Sequence, residues 1–114
     1  MQPRPELECQ ESVRHGRCSL ALVGELDLVT APRLDAAIGR ICADGAAELL
    51  LDLRELTFMD STGLRAMLAA AKTCTARDCR LVVTHGNPQV ERLFKLTDTA
   101  RAFRFIGASD GRDR

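Results

Sequence analysis

The spacing of apolar residues changes repeatedly along the chain. Over residues 7–14 it alternates, with Leu7, Cys9 and Val13 on one face and Glu8, Gln10, Ser12 and Arg14 on the other. That period predicts a strand, and Glu11 on the apolar face marks it as an edge. His15-Gly16 supplies a two-residue turn, which sets Arg14 opposite Arg17 and Cys9 opposite Leu22. Residues 18–23 are apolar on both faces and predict a more central strand. Residues 24–29 read as a loop, after which Thr30 is placed to cap a helix with Pro32 in its first turn. Leu34, Ala37, Ile38 and Ile41 carry that helix, and Gly45 ends it. Residues 49–53 form a short apolar strand, followed by a loop over 54–60. Leu64, Met67, Leu68 and Ala71 then make an amphipathic helix that begins at Asp60 or Ser61. Residues 80–84 are another strand. Asn87-Pro88 opens a short helix on Val90, Leu93 and Phe94, and residues 103–106 form the last strand, with 107–114 expected to fray.

The order β-β-α-β-α-β-α-β implies crossover connections and therefore a partly parallel sheet behind an antiparallel opening hairpin. The expected class is α/β, a small mixed sheet with helices mainly on one face. At 114 residues the chain suits one domain over 1–114, with its core at about 7–106.

Composition and charge narrow the functional classes. Lys plus Arg and Asp plus Glu each number 16, so the formal net charge is zero. Nucleic-acid binding rests on excess cationic residues, and stacking platforms need aromatics; this chain lacks Trp and Tyr altogether. No run approaches the roughly 20 apolar residues of a membrane span, and the first residues have no apolar signal region, so a cytoplasmic location is expected. The five cysteines are odd in number and contain no C-x-x-C pair. They read as reduced small hydrophobes, with no disulfide framework, metal site or cofactor implied.

Candidate chemistry is concentrated in Phe58-Met59-Asp60-Ser61-Thr62-Gly63-Leu64, where two apolar residues precede an acid and two hydroxyls at a helix start. One reading is capping by Asp60 or Ser61, with Phe58 and Met59 as a plug or staple. A second is a hydrolase nucleophile at Ser61 with His85 or His15 as base. Met59, however, stands where the nucleophile elbow needs its first glycine. A third makes Ser61 a substrate. A phosphate there meets the positive end of the helix dipole and adds about −1.5 to −2 charge beside Asp60, and beside Asp27 if the preceding loop lies near. An apolar docking surface holding that group would release its partner.

Gly24-Glu25-Leu26-Asp27 and the segment 58–64 together resemble the STAS domain, and within it the bacterial anti-sigma factor antagonists; residues 88–94 resemble the family's third helix. The similarity spans about 7–106. It implies a non-enzymatic partner switch, in settings such as stress response or sporulation. The unphosphorylated protein binds an anti-sigma factor that is also a serine kinase, freeing a sigma factor; phosphorylation reverses this, and a serine phosphatase resets it. The family's phosphorylated serine falls on Ser61, with Asp60, Thr62 and Gly63 as its neighbours and Asp27 as the acid of the adjoining loop. Phe58 and Met59 join them as expected partner-binding residues. Other roles for such a domain are a stressosome-like scaffold or a lipid-transport complex. Two departures stand out: after Ile106 there is a polar tail where many members have a further amphipathic helix, and Asp98 replaces the glycine that often ends the third helix.

Overall fold

The computed structural model describes residues 6–107. The opening hairpin has the expected register. β1 (Leu7–Arg14) runs antiparallel to β2 (Arg17–Leu26), with Arg14 opposite Arg17 and Cys9 opposite Leu22. Both turn residues, His15 and Gly16, have positive φ, which matches the right-handed twist of the two strands. β1 is an edge of the sheet, as its interrupted apolar face implies. Glu11 is accommodated there by an ion pair with Arg40 of the first helix.

β2 continues three residues past the expected Val23, and this extension builds the site. Its first half pairs in parallel with β3 (Glu48–Asp52), and its second half pairs in parallel with β4 (Leu56–Met59). β4 replaces the loop expected over 54–60. It is only four residues long, and both middle residues, Thr57 and Phe58, are exposed, so no alternation marks it. The register shifts between Gly24 and Glu25, where β2 changes partner. Gly24 takes φ +119°, and a Cβ there would lie 1.9 Å from the Glu6 carbonyl oxygen, so only glycine fits. The β3–β4 turn is held by Asp52. Its carboxylate accepts bonds from the Arg54 guanidinium at 3.0 and 2.8 Å and from the Arg54 N–H at 3.0 Å.

α1 (Ala31–Ala43) and α2 (Ser61–Ala76) pack together on one face of the sheet, against Leu20, Leu22, Leu49, Leu51 and Val83, all fully buried. β5 (Arg80–Thr84) pairs with β3, and β6 (Phe105–Ile106) pairs with β5, both in parallel. The last strand is thus shorter than the expected 103–106. α3 (Pro88–Thr97) lies along β4. Gln89 there donates to the Met59 carbonyl at 3.0 Å and accepts from the Met59 N–H at 3.1 Å, replacing a strand partner. Asp98 ends α3 in the left-handed region at φ 57°, so the turn survives without glycine. The observed order is β-β-α-β-β-α-β-α-β. The expected fraying of the tail falls almost wholly outside the described residues. Among those described, no helix is long and apolar enough to cross a membrane.

Candidate functional site

Two strand-to-helix turns stand side by side at one end of the sheet, because Leu26 of β2 pairs with Met59 of β4 and the Asp60 N–H donates to the Leu26 carbonyl at 3.3 Å. The turn after β2 is closed upon itself. The Asp27 carboxylate accepts from the N–H groups of Val29 and Thr30 at 3.0 and 3.1 Å. Thr30 Oγ1 accepts from the Asp27 N–H at 2.9 Å and donates to the Glu25 carbonyl at 2.8 Å. Asp27 and Thr30 thus close the loop on each other, and the N–H groups their side chains bind, those of Asp27, Val29 and Thr30, all precede α1. Thr30, expected to cap α1, makes no such bond to a helix N–H, because its hydroxyl is turned back into the loop and buried.

The turn after β4 has the same acid and only half the closure. Asp60 caps α2 by accepting from the Gly63 N–H at 2.9 Å. The residue three positions on is Gly63, which has no side chain to return the bond. Ser61 therefore stands exposed as the first residue of α2, and Thr62 beside it is half-buried. The backbone N–H groups of a helix's first turn lack intrahelical partners and favour an anionic group.

Gly63 itself is buried. A Cβ there would meet the Leu26 carbonyl oxygen at 2.4 Å, so glycine sets the close approach of α2 to β2. That tight contact locks the two turns together. Met59 is likewise fully buried. Of the seven residues singled out in the sequence, Ser61, Phe58, Thr62, Asp60 and Asp27 retain exposure, whereas Met59 and Gly63 lie inside. The structure adds Leu28 and Val29, 72% and 63% exposed, next to Asp27. With Phe58 at 38%, they supply apolar surface at the same end of the sheet. Sequence reading passes over Leu28 and Val29 as loop. Their signal is two consecutive large aliphatics directly before a helix start.

The histidines do not complete a catalytic arrangement with Ser61. His85 Nδ1 lies 2.9 Å from Glu91 Oε1, and its ring stacks on Phe105 at 4.7 Å. His15 sits in the β1–β2 turn, at the other end of β2 from Leu26. A general base must reach the proton it takes, and neither ring is held toward Ser61.

Residues 4–110 match the STAS domain family. The anti-sigma-B factor antagonist of Staphylococcus aureus is 31% identical over 74 residues, covering 65% of this chain and 68% of the relative. The anti-sigma-F factor antagonist of Mycobacterium tuberculosis is 38% identical over 58 residues, covering 51% of this chain and 48% of the relative. Among solved structures, an anti-sigma factor antagonist from Mycobacterium paratuberculosis superposes with a TM-score of 0.80 at 28% identity, covering 89% of this chain and 86% of the other.

Proposed function

The chain belongs to the STAS domain family, and from that premise we propose that it is a cytoplasmic anti-sigma factor antagonist switched by phosphorylation of Ser61. In its unphosphorylated form it docks on an anti-sigma factor serine kinase and frees a sigma factor. The kinase then phosphorylates Ser61, docking is lost, and a serine phosphatase restores it. The protein acts by binding rather than catalysis.

The observation that carries this reading is the placement of Ser61. Its hydroxyl is exposed at the start of α2, while the neighbouring acid does the capping. Phosphorylation there leaves the fold's own bonds intact and changes the surface. About two negative charges arrive beside Asp60, at an end of the sheet that also exposes Leu28, Val29 and Phe58. A partner that covers this apolar surface must then desolvate a dianion, which costs more than the contact returns. Asp60 orients the first turn; the carboxylate that takes the serine proton belongs to the kinase.

The test is incubation with the anti-sigma factor kinase, Mg²⁺ and ATP, followed by peptide mass spectrometry and binding measurements. One phosphoryl group on Ser61 is expected. Ser61→Ala should bind the kinase within a few-fold of the unmodified protein, and Ser61→Asp at least about tenfold more weakly. Equal binding by the two variants refutes the electrostatic switch. Stable co-purification with a transport ATPase in place of a kinase refutes the assignment of partner.

A further inference from the structure

At the opposite end of α2 from Ser61, three buried cysteines converge from three elements. Cys42 lies in the last turn of α1, Cys74 near the end of α2, and Cys79 immediately before β5. They are 5%, 1% and 5% exposed, and all three sulfurs lie within 4.8 Å of one another, Cys42 and Cys74 at 3.8 Å. No C-x-x-C motif announces them, because backbone geometry brings Cys74 and Cys79 together. The Cys79 N–H donates to the Cys74 carbonyl at 2.8 Å, and the Asp78 N–H donates to the Thr75 carbonyl at 3.2 Å, with Asp78 at φ 57°. This helix-ending turn places the residue after the left-handed position over the residue five before it. Packing of α1 on α2 supplies the third sulfur.

We propose that Cys42, Cys74 and Cys79 form a three-thiol site for a trivalent thiophilic ion of the arsenite class, held as a neutral tris-thiolate. Three sulfurs at about 2.3 Å from one pyramidal centre lie about 3.5 Å apart, so the Cys42–Cys74 pair at 3.8 Å is already close to ligating separation. The ion class follows from charge. All three cysteines lie in the core, at most 5% exposed. Three thiolates on a zinc ion would leave one uncompensated negative charge in the core, and on a cuprous ion two. Burying such a charge is strongly unfavourable. Zinc would also want a fourth ligand, and among the described residues the group comprises three.

A trivalent ion avoids both costs. Arsenous acid condenses with three thiols. Three As–O and three S–H bonds break, three As–S bonds form, and three waters leave. Arsenic stays trivalent and no residue is oxidised. Cys42 and Cys74 sit near the C-terminal ends of two helices and Cys79 in the turn after α2; helix ends are the parts that open most readily, which gives a route in without global unfolding.

The test uses the full reduced chain. Native mass spectrometry with sodium arsenite should show one adduct per chain, heavier by one arsenic atom less three hydrogens. X-ray absorption at the arsenic edge should report three sulfur neighbours. Cys42→Ala, Cys74→Ala and Cys79→Ala should each weaken arsenite binding at least about tenfold, while Cys9→Ala leaves it unchanged. Absence of a one-to-one adduct overturns the site, as does coordination by fewer than three sulfurs, a measurement on the unaltered protein that does not depend on any variant folding. Zinc(II) bound as tightly by the same thiols overturns the neutral-ion assignment.

Discussion

The turns that follow β2 and β4 begin alike and end differently. Each leaves the end of a parallel strand, and each has an aspartate whose carboxylate accepts from the backbone N–H three positions on. After Asp27 the residue three positions on is Thr30, whose hydroxyl returns a bond to the Asp27 N–H and is buried. After Asp60 that residue is Gly63, which returns nothing and allows α2 to press against the Leu26 carbonyl. One turn therefore consumes its hydroxyl in folding, and the other leaves Ser61 in water. A hydroxyl is available for regulation where a neighbour has taken over the structural task, and the paired turns display both cases within one sheet end.

The strongest way to break this comparison is to give the second turn a side chain at its contact point. Gly63→Ala should destabilise the protein by at least about 2 kcal/mol in urea denaturation, because the added carbon meets a backbone oxygen that has nowhere to move. A loss below about 0.5 kcal/mol would mean that α2 does not depend on that approach. Next in size is the contrast between the hydroxyls. Thr30→Val keeps the shape and removes the partner of the Asp27 N–H and the Glu25 carbonyl, so a loss of about 1–2 kcal/mol is expected. Ser61→Ala should change stability by less than about 0.5 kcal/mol. Equal effects at the two positions would erase the distinction. Asp60→Ala removes a helix cap and should cost about 1 kcal/mol, measured the same way, with Ser61 still phosphorylatable.

The smallest effect concerns acid. The hydrogen bond from Arg54, helped by its charge and by the Thr84 hydroxyl, holds the Asp52 carboxyl below its ordinary value. A carboxyl depressed in the folded state contributes stability above its unfolded pKa and loses it as pH falls through the folded one. Asp52 should therefore support the β3–β4 turn at neutral pH and release it in strong acid. Because Arg54 is largely in water, the contribution should stay within about 1 kcal/mol. Asp52→Asn should flatten the acid limb of a stability–pH curve; an unchanged limb would show that the turn leading to the second helix cap holds without this bond.

Local features were legible wherever one residue type does one job. The His15-Gly16 turn sets the hairpin register, Asn87-Pro88 starts α3, and the apolar spacing of α1 and α2 names their buried faces. β4 was not legible, because four residues with an exposed middle carry no period, and its partners are distant in sequence: β2 on one side, and Gln89 thirty residues on at Met59. Thr30 holds the N-cap position expected of it, but its hydroxyl makes no cap bond, because it turns back to the Glu25 carbonyl, a partner that only the path of β2 brings within reach.

By itself the sequence determined the α/β alternation, the hairpin pairing and the position of Ser61 at a helix start, since these depend on neighbours within a few residues. Tertiary structure decided how the pieces meet. It extended β2 so that Leu26 holds Asp60 and set Gly63 against that strand. It sent Met59 inside while leaving Phe58, Leu28 and Val29 outside, and it gathered Cys42, Cys74 and Cys79. Each of these depends on the approach of segments distant in sequence, where backbone sterics and strand register act and no local spacing records the outcome.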